Sequence, residues 1–481
     1  MKITLFFKVF ICFLILCIVT GPLFLLLNII VTVGIYKIVQ TRKINNFIVW
    51  TASISALSCL TLYSTDGDWN LPYKMKFAFD MTYSAQALII LRITSMVLCI
   101  NEGLPDVSDN STAWDFLQNV ILYVFYPYTF FSGPLITFCD WKYYFDSKDH
   151  YVVPKEHPSL PSTNPFRKLS WYFLLCRTVR LIVWTLCWSV VLCFIYPNAV
   201  MGYMIYQREP IDSYTMWAAF FLSGFHFFFT YLVGYGWPCL LSDFEIFLSP
   251  TRSVATADFD GGAMENHEAH KTKRVNREKE LWNVRPRMCL VPTHPSCIGH
   301  VTLFSEFWRY FDRGLANFLK THIFRPLKAN LSNQAKGQKT SLAITALQNA
   351  FALTVPFIYV TIYHGPRVEI CYWMLINMVQ LTAENSILWI SRKTCVGVYL
   401  NSHFSPFALR WTTSLLCAVS LMFSFIGCMY FRFGPTLSQI FIEQVFFTKG
   451  TFVIFCMLTC LHRMNQTIRS WCDYRGLPMC I

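Results

Sequence analysis

Apolar segments of about twenty residues recur along almost the entire chain, and they narrow its possible folds more than any other feature. As a helix, a segment of that length covers the roughly 30 Å of hydrocarbon in a bilayer. Spans fall near residues 9–36, 47–64, 77–100, 115–139, 170–196, 215–241, 342–363, 368–391, 408–430 and 440–461. They predict about ten crossings, or about twelve where the longest ones break. Only 14% of the 481 residues are charged and 54% are hydrophobic. A soluble domain carries about a quarter charged residues, so this composition belongs in a membrane.

Lys2 and Lys8 precede an uncharged run from Val9 to Tyr36, which is too long for the apolar core of a signal peptide and reads as an uncleaved anchor. Gly21-Pro22 in its middle predicts a kink or a split into two half-helices. The net charge of +13 comes from 40 Lys and Arg against 27 Asp and Glu. On a membrane protein it indicates positive loops and anionic headgroups rather than nucleic acid, and a polyanionic cosubstrate would use the same charge. Lys37, Arg42 and Lys43, with Arg463, Arg469 and Arg475, would mark cytoplasmic faces, but other loops are basic too, so orientation stays open. Most of the 19 cysteines, such as Cys12, Cys187, Cys193, Cys417 and Cys460, lie within apolar spans and read as small hydrophobes rather than a disulfide framework. Residues 140–168 read as an interhelical loop, and 251–296 as a polar insertion whose His267, Glu268 and His270 read as solvated rather than metal-bound. No repeat, glycine-rich phosphate loop, Walker motif or GxSxG motif is present.

Two polar residues stand out against this background. Asp312 lies in Phe307-Trp308-Arg309-Tyr310-Phe311-Asp312-Arg313-Gly314-Leu315, and His364 ends the apolar segment that precedes Gly365. Ionisable groups beside bilayer-length helices are costly, which makes each a candidate functional site. The spacing predicts one amphipathic helix over 303–319 with Trp308, Asp312 and Leu315 on one stripe. On spacing alone Asp312 is equally an intrahelical ion-pair partner of Arg309 or Arg313, and His364 a helix cap or interfacial residue. Thr382-Ala383-Glu384-Asn385-Ser386, a polar knot in the next apolar segment, points to a cavity shared with His364.

These residues together resemble the membrane-bound O-acyltransferase superfamily. Trp308-Arg309-Tyr310-Phe311-Asp312, Gly314-Leu315 and Asn317-Phe318-Leu319, followed by an apolar helix ending in His364-Gly365, carry the likeness. Within the superfamily the chain is most similar to the hedgehog acyltransferase branch, through the Asp in the first motif, Pro295-Ser296-Cys297 and Thr382-Ala383-Glu384-Asn385. Leu122 to Pro127 and Ser132 to Phe138 resemble its N-terminal half, so the likeness runs from about residue 115 to 392. Tyr363 stands where the family has Trp, and the loops at 251–296 and 328–340 are extended.

The resemblance implies an all-α polytopic membrane protein with its helices around a central acyl-transfer tunnel. It implies one domain over 1–481: N-terminal helices (1–114), the front half of the core (115–250), the polar insertion (251–296), a catalytic core (297–392) and C-terminal helices with a short basic tail (393–481). The implied reaction moves a long-chain acyl group, palmitoyl in that branch, from acyl-coenzyme A to the N-terminal amine of a secreted, hedgehog-like signalling protein at the endoplasmic reticulum or Golgi membrane. O-acylation of a serine or lipid hydroxyl, or a catalytically silent scaffold or transporter, are the alternatives. His364 and Asp312 take the catalytic positions. Trp308, Arg309, Asn385 and Cys297 take cofactor-binding ones, with Cys297 matching a haem-iron ligand and haem b an implied cofactor. The partners implied are acyl-coenzyme A, a protein with a free N-terminus and membrane lipids.

The chemistry suits these residues. An imidazole with a pKa of about 6.5 accepts a proton from an attacking amine at neutral pH. A carboxylate within hydrogen-bond reach would orient that imidazole. Asn385, Trp308 or a backbone amide are candidate oxyanion donors. Arg309, Arg313, Arg325 and Lys328 are candidates for the coenzyme A phosphates, or for a positive rim at the membrane surface.

Overall fold

The computed structural model describes residue 18 and residues 21–65, 73–102, 120–130, 133–146, 171–206, 212–248, 291–292, 295, 303–334 and 342–475. Among them there is no strand. Helices α1 (Pro22–Thr41), α2 (Asn46–Thr65) and α3 (Tyr73–Asn101) are followed by α4 (Phe138–Asp146), α5 (Trp171–Phe194), α6 (Pro197–Tyr206) and α7 (Ser213–Leu248). The second half holds α8 (Phe304–Phe311), α9 (Arg313–Leu319), α10 (Arg325–Gln334), α11 (Leu342–His364), α12 (Val368–Lys393), α13 (Cys395–His403), α14 (Pro406–Phe441) and α15 (Lys449–Arg475). Among the described residues, five stretches are long and apolar enough to cross a membrane: Pro22–Thr41, Thr82–Asn101, Leu174–Phe194, Ser213–Glu245 and Pro406–Phe441. Their outward faces expose Leu26, Ile30, Val179, Leu186, Phe225 and Phe423, which suits contact with lipid. This is an all-α, multi-pass membrane protein.

The Gly21-Pro22 pair starts a helix, as its chemistry predicts. Gly21 has φ +87°, open to glycine, and Pro22 occupies the first helical position, where no amide donor is needed. α2 packs against both α3 and α11, while α12 lies along α14 and α14 along α15.

Three expectations change. The span at 115–139 is not one helix: the described chain is helical over 120–124, forms a 3-10 turn at Pro127–Thr129, runs without regular structure through 134–137 and enters α4 at Phe138. Pro127 and Pro134 each remove a donor, and a β-carbon at Gly133 would meet the Thr129 α-carbon at 2.4 Å. Irregular backbone buried among helices needs partners within the protein. Arg92 of α3, only 1% exposed, supplies them: Nη1 donates to the Val124 carbonyl at 2.8 Å, and Nη2 to the Thr129 carbonyl at 2.7 Å and hydroxyl at 2.6 Å. Tyr123 donates its hydroxyl proton to the Ile136 carbonyl at 2.8 Å.

The single helix expected over 303–319 breaks at Asp312, whose φ of −122° and ψ of 89° separate α8 from α9. The third change concerns sulfur. Cys187, Cys193 and Cys460 are free and exposed, but α4 packs on α3 so that Cys99 and Cys139, with α-carbons 6.1 Å apart, form a disulfide.

Candidate functional site

Asp312 stops one helix and starts the next because its carboxylate replaces a missing helical partner. Oδ1 accepts the Leu315 backbone N–H at 2.9 Å, which makes Asp312 the N-cap of α9. Oδ2 accepts the hydroxyl proton of Tyr235, on α7, at 2.8 Å. The residue forms no ion pair with Arg309 or Arg313, which removes the intrahelical alternative. Burial pushes the carboxyl above its usual range, while the Leu315 amide, the Tyr235 hydroxyl and the Gly314 amide pull it down.

The flanking helices are fixed at several points. Glu384 of α12 accepts the amides of Phe304 at 2.5 Å and Ser305 at 3.2 Å, capping the start of α8. Arg469 of α15 pairs with Glu306 at 3.2 Å. At Gly314 the chain passes so close to Leu135 that a β-carbon would lie 2.3 Å from the Leu135 carbonyl oxygen. Asn317 donates to Asp140 at 2.6 Å, and Thr137 donates to the same carboxylate at 2.7 Å. Farther along, the ring Nε2 of His322 meets Ser95 Oγ at 2.8 Å, and that oxygen accepts the Phe138 amide at 3.0 Å. The stretches 133–140 and 307–319, read separately in the sequence, therefore form one packed unit.

His364 closes α11, and Gly365 turns the chain with φ +91° before α12. Its imidazole sits among aromatic rings: Tyr363 at 5.0 Å, Phe431 at 5.1 Å and Trp373 at 6.0 Å between centroids. Trp373 also contacts Trp308 at 5.3 Å and Phe431 at 4.9 Å. Trp373 thus joins the helix that leads to Asp312 with the helix that ends in His364. The imidazole has no hydrogen bond to any described side chain, and Asp312 bonds Tyr235 instead. An Asp-to-His hydrogen bond is therefore not part of this arrangement.

The other predicted residues are dispersed. The Trp308 indole lies in the aromatic cluster, with Nε1 buried and unpaired. Arg309 is exposed. Its guanidinium and that of Arg325 act on Lys320, which partial burial first, then these two charges, make less basic. In the 382–386 knot, Thr382, Asn385 and Ser386 are exposed, and Glu384 turns to α8. The buried polar groups of α12 are instead Asn377 and Gln380, the latter bonded to Ser420 and Ser424 of α14. Cys297 lies outside the described residues, and among these no cluster of three or more His, Cys, Asp or Glu could hold a metal.

Sequence reasoning missed Tyr235, Trp373, Phe431 and Arg92. Phe227, Tyr231 and Tyr235 follow an i, i+4, i+8 stripe that marks the face of α7 against α8, where Phe227 stacks on Phe311 at 5.5 Å. Arg92, the one charge near the middle of its apolar run, was the corresponding sign in α3.

Comparison with known proteins agrees with this architecture. The mouse protein-cysteine N-palmitoyltransferase HHAT (Mus musculus) is 22% identical over 429 residues, which are 88% of this chain and 71% of the mouse protein. The fly protein-cysteine N-palmitoyltransferase Rasp (Drosophila melanogaster) is 24% identical over 187 residues, 38% of this chain and 35% of the fly protein. Residues 47–428 match the membrane-bound O-acyltransferase family, a stretch that contains Trp308, Trp373, Asp312 and His364. The chain belongs to the membrane-bound O-acyltransferase family.

Proposed function

We propose that this acyltransferase moves a palmitoyl or similar long-chain acyl group from acyl-coenzyme A to the N-terminal amine of a secreted, hedgehog-like protein at the endoplasmic reticulum membrane. The observation that carries the reading is the ring contact from Trp308 through Trp373 to His364, which sets the segment leading to Asp312 and the imidazole around one aromatic cluster. The two relatives, both protein-cysteine N-palmitoyltransferases, support the choice of a protein acceptor.

In this reading His364 is the general base. The acceptor amine attacks the thioester carbonyl, a C–N bond forms, and the imidazole takes the proton the nitrogen sheds. The C–S bond then breaks, and the imidazolium returns the proton to the departing coenzyme A thiolate. Such assistance is worth about 10² to 10⁴ in rate. The aromatic surroundings keep the imidazole free of competing hydrogen bonds. Asp312, which bonds Tyr235 and the Leu315 amide, accepts a hydrogen bond from the acceptor's neutral amine ahead of attack instead of orienting the base. The shared positive field of Arg309, Lys320 and Arg325 suits the coenzyme A phosphates.

The test incubates purified protein with labelled palmitoyl-coenzyme A and peptides whose N-terminus is free or acetylated. His364→Ala should lower transfer at least 100-fold, within the range above. Equal transfer by variant and parent removes the base assignment, and modification of the acetylated peptide removes the amide product.

A further inference from the structure

Asp312 has an unusual set of partners for a carboxylate inside helix packing: none of the groups it bonds carries a charge. The Leu315 amide is the local cap that an Asp at this position makes for itself. The Tyr235 hydroxyl comes from a different helix, 77 residues earlier in the chain. We propose that Tyr235 is a positioning residue for acyl transfer, its phenolic proton committed to Asp312 so that the carboxylate stays ionised and fixed against α7. This rests on the reading above, in which Asp312 acts as an anion toward the acceptor.

The packing around Tyr235 is built to aim that hydroxyl. Its ring meets Tyr231 edge-on at 5.2 Å, Tyr231 meets Phe311 at 4.9 Å, and Phe311 stacks on Phe307 at 5.3 Å. One face of α7 is thereby set against α8, directly before the break at Asp312. Aromatic contacts of this kind hold a ring at low entropy cost while its polar tip makes a specific bond. The titratable groups facing Asp312 are Tyr231 and Tyr235 from α7 and Tyr363 from α11, with the amides of Gly314 and Leu315 from its own segment. Among the described residues no cation is bonded to it, so its ionisation there depends on neutral donors, of which Tyr235 supplies the side chain. A donor bonded to the charged form of an acid favours that form, and removing it raises the acid's affinity for a proton.

The experiment titrates full-length protein in lipid nanodiscs by infrared spectroscopy, following the carboxylic C=O band that Asp312→Asn removes. Tyr235→Phe keeps the ring and should raise the protonation midpoint by about one pH unit, a tenfold change in proton affinity. Tyr231→Phe, which removes a hydroxyl not bonded to Asp312, should leave the midpoint in place. Replacing Tyr235 alone with 3,5-difluorotyrosine, a stronger donor, should lower it, so the inference stays testable even if Tyr235→Phe folds poorly. An unmoved midpoint in both Tyr235 proteins, or an equal shift in Tyr231→Phe, overturns the inference. In the transfer assay Tyr235→Phe should lose activity progressively below its raised midpoint, and a loss that is the same at every pH overturns the positioning role. The titration needs no turnover: if His364→Ala transfers acyl groups as the parent does, the functional reading fails while the infrared result still decides the role of Tyr235.

Discussion

Glu384 accepts the backbone N–H of Phe304 at 2.5 Å, so a carboxylate on α12 holds the first turn of the helix that ends at Asp312. The bond fixes where α8 begins, and eight residues later the chain places the candidate site.

Glu384→Ala should therefore cost about 1–2 kcal/mol, the range for losing a charged cap. Hydrogen exchange at the Phe304 and Ser305 amides should accelerate before exchange in α11 does. Unchanged protection at these two amides would show that α8 is fixed by other contacts, the Glu306 pair with Arg469 being the first to examine.

Gly314→Ala should be the most damaging single-methyl change in the motif. The added carbon would lie 2.3 Å from the Leu135 oxygen and 2.5 Å from its nitrogen, both backbone atoms with little freedom to yield. Overpacking of this kind costs about 1–3 kcal/mol, and the top of that range applies here. Thermal unfolding in detergent measures it, and a melting temperature equal to the parent's would mean that α9 can move off the 133–137 segment.

Arg92→Met should destabilise the fold by at least about 3 kcal/mol, since the Val124 and Thr129 carbonyls and the Thr129 hydroxyl all lose their donor. Arg92→Lys should rescue little, because one ammonium does not reproduce the two-pronged geometry. Comparing the melting of the two variants tests this: full rescue by lysine would show that charge, not the fork, holds the segment.

His322 should make stability depend on pH. Burial lowers the affinity of its ring for a proton, to a pKa of about 4, against about 6.5 in an unfolded chain. Between these values the unfolded state binds more protons, so stability is full above pH 6.5 and falls on acidification. From pH 7 to 5 the loss is about 2 kcal/mol. His322→Gln cannot titrate and should show a smaller fall in melting temperature over that interval; an equal fall in both proteins would place the titrating group elsewhere.

Hydropathy made much of the fold legible. The spans read at 47–64, 342–363 and 368–391 differ by a residue or two from α2, α11 and α12, since an unbroken apolar-rich run of this length favours one continuous helix. The span at 115–139 misled for a physical reason: its residues are apolar, yet its backbone is irregular and is satisfied by Arg92, which lies on another helix. Asp312 and His364 stood out as residue types, but their partners did not. Tyr235 is one of 24 tyrosines, and nothing in a local pattern marks which of them meets a carboxylate. The break at Asp312 was hidden because the 3.6-residue periodicity runs through it, and only the backbone angles reveal the cap. Glu384 lies in the segment singled out from sequence, but it bonds backbone amides, which side-chain patterns cannot show.

The contacts of Gly314 with Leu135 and of Asn317 with Asp140, together with Ser95 of α3, which bonds both the His322 ring and the Phe138 amide, form a clamp between the segments 135–140 and 314–322, about 180 residues apart. Groups that share partners do not contribute independently. Substitutions on the two sides of the clamp should therefore be epistatic: once one side has let go, a second change on the other has little left to remove. By the same logic, a larger residue at 314 is tolerated through compensation near Leu135 rather than within its own helix. In evolutionary terms the two segments constitute one heritable unit, free to drift only together.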